Sequence, residues 1–172
     1  MTLDRIAGSV ATMTGSFVVN VADAPAYRHP ARGITVLLED RDEPFPEIGI
    51  NVRVLEPGRP NAMYHRENAQ EDFLVLGGRC TLVLDGEEHA LRQWDFVHCP
   101  AGTEHVFVGA GEGPCWILML GTRKDPEVFH YPTNAIAARH GASVPAPTDD
   151  PDEAYRDDAG TYTPTTAPWP PV

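Results

Sequence analysis

Residues 64–78 read YHRENAQEDFLVLGG, and residues 94–109 read WDFVHCPAGTEHVFVG. Each stretch combines side chains that can bind a metal ion with a short, strongly apolar run. Between them lies Asp85-Gly86, the commonest kind of signal for a tight two-residue turn. A β-hairpin is therefore expected to carry the chain from the first stretch to the second.

Four side chains in these stretches are candidate metal ligands: His65, Glu67, Glu71 and His105. His65 and Glu67 are two residues apart, so both side chains leave the same face of an extended segment. A turn before Glu71 would let it face the first two from an adjacent strand. His105 begins a new alternating strand after the Pro-Ala-Gly corner at residues 100–102. The pattern predicts that the four side chains converge.

The types of these side chains indicate the kind of metal. Two imidazoles with one or two carboxylates suit a divalent ion such as iron(II), manganese, nickel or zinc. Taken alone, a histidine on a strand is more often structural than a ligand, so the prediction depends on the grouping. Glu67 has a second interpretation, as a carboxylate that steadies the ring N–H of a ligating histidine.

The remaining pattern predicts an all-β protein. Apolar residues that alternate or run together, bounded by Gly, Pro and Asp, predict strands over residues 34–39, 47–56, 73–76, 80–84, 88–91, 95–99, 103–108 and 114–121. A further short strand is expected near residues 16–21, and no helix before residue 130. The run at 73–76 is apolar throughout, as in a strand buried on both faces. Short strands separated by turn signals indicate a barrel or a sandwich.

The first stretch resembles the first motif of the cupin family. That motif is a Gly, a short spacer, His-x-His, three or four residues, a Glu, six residues and a Gly. Here the corresponding residues are Gly58, His65-Arg66-Glu67, Glu71 and Gly78.

The second stretch resembles the second cupin motif, Pro-x-Gly-x-x-His, at Pro100, Gly102 and His105. The Gly-Asp that often begins this motif stands as Trp94-Asp95. The resemblance covers roughly the middle third of the chain. It implies a cupin double-stranded β-helix, a jelly-roll-like barrel of two packed antiparallel sheets with a metal near the open end. Members of this family are frequently dimers, which implies a homodimer here.

The sequence departs from the family pattern in two places. Glu67 stands where the family usually has its second His, and the spacer after Gly58 is one residue longer than the common form. If the common spacing is enforced, Tyr64 and Arg66 take the ligand positions and the site loses its metal. The register with His65 gives the more sensible ligand set.

Three segments are expected along the chain: an N-terminal arm over residues 1–32, the barrel over 33–130, and a short helix with an extended tail over 131–172. The helix is predicted over residues 133–140, between Pro132 and a terminating Gly. The tail after it contains seven prolines and six acidic residues, a composition typical of disorder. An ordered tail must therefore dock, on its own barrel or on a partner subunit. Its expected anchors are Tyr155, Tyr162 and Trp169.

Composition limits the partners. The 25 acidic and 13 basic residues among 172 give a net charge of -12. This charge repels phosphate backbones and anionic lipid, so neither nucleic acid nor a membrane surface is an expected partner. The three cysteines, Cys80, Cys99 and Cys115, show no paired spacing and are expected to fill the core. The N-terminus reads neither as a signal peptide nor as a membrane span, and a cytoplasmic protein is expected.

Two functions fit this sequence. The first is a metal-dependent enzyme, a dioxygenase or isomerase that acts on a small organic molecule inside the barrel. The second is a non-catalytic cupin that binds or senses a small molecule, since the fold does not decide between them. A structural protein with an empty site would require the register with Tyr64. The residues expected to line the substrate pocket are Tyr64 and Arg53, which could position an anionic group, His98 as a candidate base, and Phe107.

Overall fold

The computed structural model describes residues 15–158 and 160–169. The described residues form twelve strands and few helices, as the all-β prediction requires. The strands are β1 (Ala26–His29), β2 (Gly33–Leu37), β3 (Ile48–Leu55), β4 (Arg66–Glu67), β5 (Glu71–Gly77), β6 (Arg79–Leu84), β7 (Glu87–Arg92), β8 (Phe96–Cys99), β9 (His105–Ala110), β10 (Cys115–Thr122), β11 (Phe129–His130) and β12 (Thr163–Thr165). The helices are a 3-10 turn (Val21–Asp23), α1 (Ala135–Arg139) and α2 (Pro151–Ala154).

Two antiparallel sheets form the barrel. The large sheet has the order β12-β1-β2-β3-β10-β5-β8, and the small sheet has the order β7-β6-β9. Residues 60–65 extend the small sheet beside β9, through backbone bridges from Pro60 to Val108 and from His65 to His105. The short strands β4 and β11 form a separate two-stranded sheet, and β4 begins directly after this segment.

The core between the sheets is built from every second residue of the strands, as the period-2 pattern predicts. We call it the inner core. It includes Leu55, Phe73, Val75, Cys80, Leu82, Val97, Cys99, Phe107, Cys115, Ile117 and Met119. All three cysteines are free and buried, as expected.

A second apolar layer covers the outer face of the large sheet. It contains the alternate residues of the same strands, such as Val52 and Val54, together with Trp116. Leu74 and Leu76 are only half-buried, so the strand predicted to be buried on both faces is less enclosed on its outer side. Ala167 and Trp169 from the C-terminal tail pack on this layer.

The turn between the two stretches that carry the candidate ligands forms as predicted. Asp85 and Gly86 have φ angles of 46° and 81°, the left-handed pair that a two-residue hairpin turn requires. The turn is fixed to the second stretch, because the Asp85 carboxylate accepts a hydrogen bond from the Glu104 backbone N–H at 3.2 Å. The Asp85 N–H in turn donates to the Glu104 carbonyl oxygen at 2.8 Å.

The N-terminal segment differs from the prediction. A continuous strand over residues 16–21 is wrong, because the Asn20 side chain accepts from the Ala22 N–H and begins the 3-10 turn. The sequence analysis missed β1, which pairs with β2 on one side and with β12 of the tail on the other. The division of the chain into arm, barrel and tail stays a prediction.

The described part of the tail docks on its own barrel. The Trp116 ring N–H donates to the Pro168 carbonyl oxygen at 2.6 Å, and the Met63 N–H donates to the Tyr155 hydroxyl at 3.1 Å. The carboxylate of Asp158 receives two N–H groups of Arg32, both at 2.6 Å. None of the helices in the described residues is long and apolar enough to cross a membrane.

The ion pair between Arg32 and Asp158 tests this docking, because Arg32 is buried at 4% exposure and Asp158 is only 14% exposed. We expect Asp158→Ala to lower the free energy of unfolding by about 3 kcal/mol, since it leaves a buried guanidinium without its partner. The matched control is Asp157→Ala, at an exposed neighbouring position, which should change stability by less than about 0.5 kcal/mol. Urea denaturation measures both, and equal effects would contradict the docking.

Candidate metal centre

The backbone brings two histidines side by side. The His65 N–H donates to the His105 carbonyl oxygen at 3.2 Å, and the His105 N–H donates back to His65 at 2.9 Å. A residue pair that exchanges both hydrogen bonds projects its side chains on the same face. The ring centroids accordingly lie 5.1 Å apart.

Glu71 approaches the two histidines from the large sheet. It begins β5 and pairs with Cys99 of β8, which is part of the inner core. Its side chain therefore faces into the barrel. One ligand atom each from His65, Glu71 and His105 lies within 4.8 Å of the other two. The structure thus brings together three of the four predicted ligands.

Both imidazoles are oriented by the same local device. His65 Nδ1 lies 2.8 Å from the Met63 carbonyl oxygen, and His105 Nδ1 lies 3.2 Å from the Thr103 carbonyl oxygen. A carbonyl oxygen only accepts, so each Nδ1 carries the proton and donates. The two Nε2 atoms are left to face the site. Histidines that bind metals usually have their second nitrogen held in this way.

The protonation of these side chains reflects the buried charges around them. Burial lowers the pKa of His65, but the hydrogen bond and charge of Glu67 and the charge of Glu71 outweigh it, and the net pKa is raised. Burial lowers the pKa of His105 to about 3, with help from the neighbouring His65. His105 is therefore a neutral imidazole that offers a lone pair at Nε2.

The environment of Glu71 disfavours the charged form of its carboxylate. Burial and the charge of Glu67 raise its pKa from 4.5 to about 7, against the attraction of His65. Its Oε2 lies 3.5 Å from His105 Nε2. A divalent cation at this point would offset the charge of both carboxylates and would make the ionised form of Glu71 favourable. The donor set and its electrostatics therefore fit a divalent metal.

A cavity of about 300 Å³ adjoins the side chains of Glu67 and Glu71. Its lining mixes acidic and amide groups with the flexible thioether of Met119. The residues that line it include Glu39, Asn51, Glu67, Glu71, Met119, Gly121, Arg123 and Glu127. The Asn51 amide oxygen is buried without a hydrogen-bond partner in the described structure. A buried acceptor left unpaired in a cavity beside a metal site is typical of a ligand-binding group.

Arg123 and Glu127 are among the residues of this cavity that were not predicted from the sequence. Arg123 donates two hydrogen bonds to the Glu39 carboxylate, each at 2.9 Å, and so braces one wall. Glu127 adds an acidic group, and burial and the charge of Glu67 raise its pKa. Both follow β10, outside the two motifs. No periodicity or motif in the sequence marks them.

Glu67 lies at the edge of the centre. It lines the cavity and its Oε1 lies 3.3 Å from His65 Nε2. It does not belong to the group of three whose atoms lie within 4.8 Å. Its role as a fourth ligand or as a supporting carboxylate stays a prediction.

The structure places Tyr64 and His98 away from the centre. Tyr64 is fully buried on the outer face of the small sheet, where it packs against α1. Arg66 is exposed and pairs with Glu104, so the register with Tyr64 and Arg66 brings no ligand set together. His98 alternates with the buried Val97 and Cys99, and its Nδ1 bonds the Asp72 carboxylate at 2.6 Å on the outer face.

Phe107 and Arg53 do face the barrel interior. The Phe107 ring lies 6.2 Å from the His105 ring and 4.7 Å from the Phe73 ring, and forms an apolar floor. Arg53 lines a separate cavity, described below. Tyr131 was not predicted to be near the site, yet its ring stacks on His65 with centroids 5.7 Å apart.

The comparisons with known proteins agree with this geometry. A family model for the cupin domain matches residues 51–121. A sugar phosphate isomerase of the cupin superfamily from Silicibacter pomeroyi is 29% identical over 60% of this chain and 71% of that one, with a TM-score of 0.52. The polyketide cyclase RemF from Streptomyces resistomycificus is 19% identical over 64% of this chain and 81% of that one, with a TM-score of 0.55.

A structure from Acidithiobacillus ferrooxidans is 28% identical over 48% of this chain, with a TM-score of 0.46, and the match spans 55% of that protein. A search of curated proteins finds no match.

The fold is a double-stranded β-helix, in which two antiparallel sheets close on a shared core. The match of residues 51–121 to the cupin domain model supports the resemblance to the cupin superfamily. The predicted fold class and the resemblance to cupins are confirmed. The three converging side chains inside this barrel form a candidate site for a divalent metal.

The pKa of Glu71 gives a test that needs no metal. Because its folded-state pKa is above the ordinary value, the penalty for ionising it grows between pH 4.5 and about 7 and is complete above that. We expect Glu71→Gln to stabilise chelator-treated protein at pH 8 by about 1–3 kcal/mol, and by much less at pH 5. Urea denaturation at both pH values measures the difference. A variant less stable than the wild type at pH 8 would contradict the assigned environment.

Proposed function

We propose that this cupin is a metal-dependent enzyme that acts on a small organic molecule held in the cavity beside His65, Glu71 and His105. The observation that supports it most is the convergence of these three side chains within 4.8 Å, beside a cavity of about 300 Å³. A site that excludes water on one side and opens to a cavity on the other is typical of an active site.

The three residues fit iron(II), manganese, nickel or zinc. Two imidazole nitrogens and one carboxylate oxygen form the donor set that leaves positions open for substrate. When bound, the metal would act as a Lewis acid that polarises an oxygen of the substrate. The carbonyl oxygens of Met63 and Thr103 hold the two imidazoles in the tautomer that this role needs.

The other residues of the cavity would position the substrate and hold protons. Asn51 offers an unpaired amide oxygen that can accept a hydrogen bond from a hydroxyl of the substrate. Glu67 lies close enough to the centre to accept a proton from a substrate, which an isomerase or a dioxygenase requires. The similarity to the sugar phosphate isomerase from Silicibacter pomeroyi supports the isomerase branch of this proposal.

Metal binding tests the proposal directly. We expect His65→Ala and His105→Ala to reduce the stoichiometry of bound divalent metal from near one per chain to near zero, because each removes one of three ligands. His89→Ala, at an exposed position of β7, is the matched control and should retain the metal. Elemental analysis of protein never exposed to a chelator or a nickel column measures the metal content. Equal content in all three variants would overturn the assignment.

Turnover separates catalysis from binding. Metal-loaded wild-type protein should consume oxygen or convert a sugar phosphate or organic acid, and His105→Ala should lose this activity at least 100-fold. Metal binding with no turnover across these substrates would favour a non-catalytic sensor, the second function expected from the sequence.

We also propose that the chain forms a homodimer through the edge of the large sheet. Phe96 begins the edge strand β8, and Trp94 lies two residues before it. Their side chains are 63% and 67% exposed. Unpaired edge strands with exposed aromatic side chains are typical of association surfaces. The expected cytoplasmic location and the absence of nucleic-acid and membrane partners stay predictions.

We expect Phe96→Glu to shift the protein from dimer to monomer, because the charge cannot be buried in an apolar interface. Ile48→Glu, at another exposed apolar position, should leave the dimer intact. Light scattering after size-exclusion chromatography measures the mass. A monomeric wild-type protein would refute the dimer without affecting the metal site.

A further inference from the structure

A second cavity, of about 490 Å³, lies between β1, β3, Asn61 and the C-terminal tail. The tail forms one of its walls. The residues that line it include His29, Arg32, Arg53, Asn61, Tyr155 and Tyr162. We call it the arginine cavity.

The two arginines of this cavity differ in their charge balance. Arg32 gives two hydrogen bonds to the Asp158 carboxylate and a third to the Ala62 carbonyl oxygen. Its charge is therefore neutralised. Arg53 donates to the Thr35 hydroxyl and, at 2.5 Å, to the Asn61 carbonyl oxygen, and both acceptors are neutral.

Arg53 is thus a half-buried cation that pairs with no carboxylate in the described ranges of the chain. A guanidinium has five N–H groups, so about three remain available after these two hydrogen bonds. A desolvated cation without a partner is costly, and an anionic ligand would remove that cost. The chain as a whole has a net charge of -12, so this local excess of positive charge is unusual.

His29 supplies a second donor. Its side chain is buried, and its Nδ1 accepts a hydrogen bond from the Ala31 N–H at 3.2 Å. The proton of the neutral ring therefore sits on Nε2, which has no hydrogen-bond partner among the residues that the structure describes. The Tyr162 ring packs on His29 with centroids 5.0 Å apart and adds an aromatic surface.

The arginine cavity adjoins the cavity of the metal centre. Asn51 and Arg53 are two residues apart on one face of β3, a spacing of about 7 Å, and each lines one of the two cavities. A contact of 4.0 Å between the Asn61 amide nitrogen and the Met119 sulfur lies between them. Methionine side chains are flexible, so this partition can open.

We propose that the arginine cavity binds the carboxylate of an organic monoacid, whose remaining part extends towards the metal centre. A planar carboxylate matches the guanidinium fork of Arg53, and one uncompensated cation balances a monoanion better than a dianion. Tyr155 and Tyr162 provide surface for an apolar or aromatic body. This inference rests on the proposed function, because it assigns the substrate class of that same site.

Phenylacetate and its neutral analogue phenylacetamide test the carboxylate. By calorimetry, wild-type protein should bind phenylacetate at least 10-fold more tightly than phenylacetamide. Arg53→Met should remove that difference, and Arg53→Lys should restore part of it. Arg139→Met, at an exposed position of α1, is the matched control and should bind as the wild type does. Thermal melting verifies that each variant is folded. Equal binding of the two probes by the wild type, or an unchanged preference in Arg53→Met, would overturn the inference.

Proximity to the metal centre is tested with manganese(II). Bound manganese(II) is paramagnetic, so it should broaden the NMR signals of the phenylacetate ring protons in the wild-type protein. The His105→Ala variant, which lacks a metal ligand, should show no such broadening. Phenylacetate that binds at Arg53 without this broadening would show an isolated anion site and would overturn the assignment to the substrate. Loss of metal binding with retained phenylacetate binding would instead refute the proposed function. Retained metal binding, together with phenylacetate binding that Arg53→Met does not change, would refute the carboxylate site at Arg53 and leave the proposed function standing.

Discussion

The paired backbone hydrogen bonds between His65 and His105 are the constraint on which the site depends. They bring together residues that are forty positions apart in the sequence and aim both imidazoles into the barrel. The tight turn at Asp85-Gly86 and its hydrogen bonds to Glu104 hold the second stretch in register with the first. A slip of one residue would turn both rings to the outer face, where Tyr64 now lies, and no site would remain.

The electrostatics of the barrel interior follow from that convergence. Two imidazoles and the carboxylates of Glu67 and Glu71 share a largely desolvated space, and burial shifts the pKa values of His105 and Glu71 towards their neutral forms. A divalent cation offsets the negative charge and uses the free nitrogen lone pairs. The floor of aromatic rings at Phe73 and Phe107 keeps water from the other side. The fold therefore provides a candidate metal site with three potential ligands on one side and a cavity on the other.

The sequence predicted the barrel, the hairpin turn and four converging candidate ligands, of which the structure brings three within 4.8 Å of one another. Strand periodicity and motif spacing are local signals, so these features could be predicted. It could not predict that His98 points outward, since alternation gives a face but not which face is inside. It also missed Glu127 and Arg123, and it left open whether the tail docks on its own barrel or on a partner subunit. These features depend on which segments meet in three dimensions, and a tail rich in proline and acidic residues resembles a disordered one until its contacts are known.

Anomalous diffraction from crystals of the purified protein, recorded at the absorption edge of the metal found in it, tests the metal centre most directly. A single peak should lie about 2.1 Å from the Nε2 atoms of His65 and His105 and at a similar distance from a Glu71 oxygen. A peak elsewhere, or well-ordered side chains around an empty site in metal-replete protein, would contradict a metal-dependent function and leave the fold unaffected.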